Sequence, residues 1–205
     1  MSTILCSVLP NQCVWWCLLK IASLILLRLY IFKCRNKTFF INLFKGKILD
    51  YVDSFKYLGH WINSKFTDDE DIRREIRSLA VRGNILLRKF GFCSVDIKCY
   101  LFKTFCYSLY CAALWADFYK ATLYRLKVCY NNIMRRLVGV PPWESARSMF
   151  VTLGIRSFDE NLRYCAISCK KLVEDCINKL VCRLNSSDAA LMSKIRNNWI
   201  GMLYM

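Results

Sequence analysis

The chain has 205 residues, of which 56% are apolar and 15% aromatic, with only 7 Gly and 3 Pro. That composition excludes a disordered, collagenous or linker-like polypeptide, and the length allows one ordinary domain or two small ones. Lys and Arg number 31 against 15 Asp and Glu, a net charge of +16 that excludes an acidic buffer protein and points to an anionic partner, nucleic acid or lipid headgroups.

Residues 1–50 carry net +6 and the remainder +10, so the charge belongs to a folded basic surface and not to a tail. The 13 cysteines include no CxxC pair, and the single histidine is His60. A zinc site would need paired thiolate knuckles that are missing, and a secreted disulfide scaffold would be richer in Gly and loops. Reduced, structural thiols in an intracellular protein, nuclear or cytoplasmic, are the expectation.

In chain order, residues 1–36 are expected to hold an apolar helix. The run 13–32, CVWWCLLKIASLILLRLYIF, is long enough to cross a bilayer, but Lys20 and Arg28 interrupt it. A poor transmembrane helix, an interfacial amphipathic helix and a core helix all fit it, so membrane association through 13–32 stays open. Strand formers at 38–44, 47–52 and 55–62 predict a small antiparallel meander over 38–62.

The pattern then turns helical. Thr67 is the expected N-cap with Glu70 as its capping-box partner, and the acidic run 68–71 is expected to be solvated cap charge. Ile72, Ile76, Leu79, Leu86 and Phe90 form one helix face. A second helix over 95–116 is apolar nearly all round and is expected to be central. A third over 118–138 ends at Gly139, with short helices over 144–153 and 158–184 and a last segment from Asp188. The fold class is therefore mainly α: a small β-meander followed by a helical bundle, with domain limits at 1–36, 37–66, 67–140 and 141–205.

Few residues could do chemistry. His60 has no Ser or Cys placed to pair with it, and consecutive helical carboxylates point about 100° apart and do not converge on a metal. Neither GxGxxG nor GxxxxGK occurs. The basic helices differ: Arg73, Arg77 and Arg88 share one flank, suited to lying along a phosphate backbone, and Arg125, Lys127, Arg135 and Arg136 could do the same on the third helix. Tyr57, Trp61, Tyr124 and Trp143 are read as core side chains in preference to base-stacking platforms.

Five ordered blocks carry a resemblance. DSFKYLGHWINS at 53–64, DDEDIR at 68–73, RGNILLRKF at 82–90, YNNIMRRLVGVP at 130–141 and SARSMF at 145–150 are together similar to the region following the catalytic palm of non-LTR (LINE-type, jockey/CR1-like) retrotransposon reverse transcriptases. The resemblance covers about residues 47–184. It implies that Phe55–Gly59, with Lys56, Tyr57 and Gly59, is a primer-grip hairpin on a palm remnant, and that the following bundle is a thumb. Arg73, Arg77 and Arg88 would then lie along a template–primer duplex.

The family polymerises with paired palm aspartates on two Mg²⁺ ions. No FADD or YADD turn occurs here, so the resemblance implies no metal or other cofactor in this chain and an inactive, truncated polymerase fragment. A membrane-associated basic helical protein and a retroelement relic without function are the alternatives.

Overall fold

The computed structural model describes residues 43–44, 47–48, 53–57, 59–63, 65, 67–109, 112–177, 179–186 and 190–203. The expected N-terminal helix, including 13–32, lies outside them. The described chain is mainly helical with small antiparallel strand pairs, as its composition suggests.

Among the described residues the strands pair two by two, and most of the expected strands 38–44 and 47–52 lies outside those residues. β1 (Leu43–Phe44) pairs with β2 (Lys47–Ile48), and β3 (Ser54–Tyr57) pairs with β4 (His60–Asn63), as two separate ribbons. The expected third strand, 55–62, is itself a hairpin because Gly59 takes φ 85°, a left-handed conformation that turns the chain and that other residues resist. Lys56 faces Trp61 across the ladder, and Tyr57 faces His60.

Seven helices follow: α1 (Asp69–Phe90), α2 (Val95–Cys106), α3 (Lys120–Val138), α4 (Ala146–Thr152), α5 (Phe158–Glu174), α6 (Lys179–Asn185) and α7 (Ala190–Leu203). Thr67 does not cap α1. It is held by Asn63, whose Nδ2 donates to Thr67 Oγ1 (2.9 Å) while Thr67 N donates to Asn63 Oδ1 (3.0 Å). The capping box stands instead at α5, where Ser157 N donates to Glu160 Oε2 (2.7 Å) and Glu160 N donates back to Ser157 Oγ.

α2 is shorter and less central than its apolar sequence predicts. Arg82 Nη1 donates to the carbonyls of Phe105 and Ser108 (both 3.0 Å), and Asn161 Nδ2 donates to that of Tyr107 (2.8 Å). The Phe105 carbonyl and those of the two residues just past the helix end at Cys106 thus find side-chain partners outside it. Only Cys99, Phe102 and Cys106 are buried along it, while Ile97 and Tyr100 face solvent. Within the segment expected to be helical up to 116, Ala112–Leu114 is a single 3-10 turn. Likewise, the helix expected over 158–184 is two, α5 and α6, broken at Asp175.

Two apolar cores result. The larger joins Ile72, Leu79 and Leu86 of α1, Phe102 of α2, and Leu126, Tyr130, Ile133 and Leu137 of α3 to Trp115, Phe150 and Phe158. The second joins Ile62 of β4 to Ala166, Cys169 and Val173 of α5 and to Met192, Ile195 and Trp199 of α7. α5 reaches into both, its Phe158 and Leu162 lying in the first.

α1 and α3 run parallel. Tyr119 N, just before α3, donates to Asp69 Oδ1 (3.1 Å) at the start of α1, and Gly83 meets Ile133 further along both helices. A Cβ at Gly83 would sit 2.7 Å from Ile133 Cγ1 and Cγ2, so only glycine permits this approach.

Candidate nucleic-acid interface

α1 carries two sets of charges that do opposite things. At its N-terminus the acidic run is buried, not solvated: Asp68, Asp69 and Asp71 are all under 6% exposed. Asp68 accepts from the backbone N–H groups of Ala116 (2.8 Å) and Asp117 (3.1 Å), and Asp69 from that of Tyr119. Asp71 accepts from Trp61 N (3.2 Å), Trp115 Nε1 (2.9 Å) and Arg74 Nε (2.8 Å), with His60 Nδ1 at 3.1 Å. The run is a clamp that joins the β3–β4 hairpin, α1 and the 115–119 segment.

Burial works to raise the pKa of Asp71, but hydrogen bonds from His60, Arg74 and Trp115 outweigh it and hold the carboxyl well below the ordinary carboxylate range. One turn on, buried Glu75 is pushed up by desolvation even though Arg74 and Arg82 pair with it. These arginines turn inward to neutralise buried acids. His60 is a packed member of this cluster, its Nε2 lying 3.7 Å from Asp68. Nothing in the sequence near 68–71 marks the clamp, because its partners at 115–119 are 44 to 50 residues away.

The opposite face of α1 is open. Arg73, Arg77 and Arg88 are exposed and make no ion pair among the described residues. Positions 73, 77, 84 and 88 fall within about 60° of one another on the helix wheel, and all four are exposed. α3 presents a matching stripe: Arg125, Val128, Asn132 and Arg136 are exposed. The α1–α3 seam is marked by Gly83 against Ile133 and by Cys129 Sγ, 3.9 Å from the Ile76 carbonyl. Going outward round each helix from that seam, the first exposed positions are Arg73 and Asn84 on α1, Arg136 and Arg125 on α3. The two stripes therefore border one outer surface.

The other sequence-expected contacts fare differently. Lys127 is taken by Asp159 (2.6 Å), and Arg135 by the Glu144 carbonyl (2.9 Å) and Asn132, so both brace the bundle. Arg136 is exposed on the shared surface. On the hairpin, Lys56 is exposed, Tyr57 is half-buried against the second core, and Gly59 makes the turn. Two aromatics read as core are not: Trp143 is 87% exposed and Tyr124 64%.

The eight described cysteines are free thiols, Cys106 pushed up to about 12 by burial, which suits packing and not reactivity. Among the described residues no group of His, Cys, Asp and Glu could hold a metal ion, and no helix is long and apolar enough to cross a membrane. A pocket of about 530 Å³ at the start of α5 mixes Arg147 and Arg163 with Asp159 and Glu160 and favours no one ligand charge.

The described residues thus form a helical body with a strand ribbon clamped to the start of α1 and an exposed arginine stripe on one side. No family model, curated protein or solved structure matches the chain.

Proposed function

We propose that this chain binds a template–primer duplex through the outer surface of α1, as the primer-grip and thumb portion of a non-LTR retrotransposon reverse transcriptase. The observation that carries the reading is the contrast along α1: Arg74 and Arg82 are consumed by buried acids, while Arg73, Arg77 and Arg88 are left to solvent on one stripe. Three cations held on a rigid helix without partners suit the sugar–phosphate backbone and carry no base-specific readout. The Gly59 turn and the clamp that fixes its hairpin to α1 accord with a primer-grip role for Lys56, Tyr57 and Gly59.

The same 205 residues hold no paired aspartates on a strand turn, so nucleotide addition is not proposed for them. Duplex affinity should fall steeply with salt, and changing Arg73, Arg77 and Arg88 together to Glu should flatten the log–log slope by about 2.7, the share of three phosphate contacts. An unchanged slope in that variant would remove these residues from the function.

A further inference from the structure

We infer that the α1–α3 surface grips both strands of a duplex at once, with Arg73, Arg77 and Arg88 as one rail and Arg125 and Arg136 of α3 as the second. The inference rests on the nucleic-acid reading above and deepens it, since a single rail would serve a single strand equally well.

The two rails match in length. Arg77 and Arg88 are 11 residues apart, as are Arg125 and Arg136, a separation of about 16 Å along each axis with only about 20° of rotation. Because α1 and α3 are parallel, the two pairs lie side by side at nearly the same height. Gly83 against Ile133 brings the axes close, toward the short end of the roughly 8–10 Å range for packed helices. Two parallel rows on adjoining helices suit the two phosphate rows that flank a minor groove. One strand cannot follow both rows.

Half-buried Ala80, Leu87 and Cys129 lie between the rails, while exposed Asn84 sits within the first rail and exposed Asn132 on the far side of the second. Glu70, half-buried, stands one turn before Arg73 on the same stripe, so Arg73 is the weakest member of the first rail. Lys127 and Arg135 are excluded from the second by their partners.

The test uses the whole chain, a 20-base-pair DNA duplex and one of its strands. The R125E/R136E variant is compared with K179E/R183E, an equal charge change on exposed α6 residues. The inference predicts that R125E/R136E lowers the duplex salt slope by about 1.8 and leaves the single-strand slope unchanged, with K179E/R183E close to wild type. The neutral R125Q/R136Q variant should lose the same two contacts. Equal losses for duplex and single strand, or an equal loss in K179E/R183E, would overturn the second rail. So would salt-dependent binding by wild type that R125E/R136E leaves intact, and in that case the nucleic-acid reading would survive. Wild type that binds neither probe would overturn both.

Discussion

The two ends of the charge problem meet on one helix. The inner N-terminal face of α1 buries three aspartates and a glutamate and surrounds them with backbone amides, an indole, an imidazole and two guanidiniums. Its outer face leaves three arginines with no protein partner among the described residues. A buried carboxylate is tolerated only when donors surround it, whereas an exposed arginine costs the fold almost nothing and remains available to a ligand. Mutating the first should therefore damage the fold and spare any intrinsic affinity of the rails; mutating the second should do the reverse.

The largest expected effect is at Asp71. Replacement by Asn removes the charge facing His60 and Arg74 and one acceptor among several donors, and should destabilise the protein by about 3–5 kcal/mol in denaturant unfolding. The pH dependence follows from the same carboxyl. Its pKa is depressed below the ordinary 3.8, so its stabilisation is complete above that value and is lost as pH falls below it toward the folded-state value. Wild type should lose this share on acidification and D71N should not.

Next comes the seam. Gly83→Ala gains helix propensity of up to about 1 kcal/mol but forces three atoms of buried Ile133 aside, an overpacking cost of about 1–3 kcal/mol. A net loss of stability is expected from thermal unfolding, reduced when Ile133 is shortened to Ala in the same chain. The smallest effect is at Lys127, paired with Asp159 at a half-exposed position. Lys127→Ala should cost under about 1 kcal/mol and leave duplex affinity unaltered, which separates a bracing lysine from a rail arginine.

The amphipathic helices were legible from periodicity alone: α1 and α3 lie where apolar residues recur every three to four positions, and Gly139 ends α3 at φ 78°. The exposed flank of Arg73, Arg77 and Arg88 followed from the same wheel. What periodicity misses is long-range. The acids at 68–71 look like a solvated helix start until the amides of 116, 117 and 119 are brought to them. α2 looks central because its composition is apolar, yet Arg82 takes the Phe105 carbonyl near its end, Asn161 takes that of Tyr107 just beyond it, and Ile97 and Tyr100 stay outside. Lys127 and Arg135 look like phosphate contacts because their partners, Asp159 and the Glu144 carbonyl, come from later elements.

The most direct trial of the account is a titration of wild-type chain against a primer–template duplex between 50 and about 200 mM salt, the range over which phosphate contacts reveal themselves. Five arginines engaging the backbone predict a slope near −4.5 and an affinity loss of about 500-fold across that range. A slope close to zero, or no binding at the low-salt end, would contradict it.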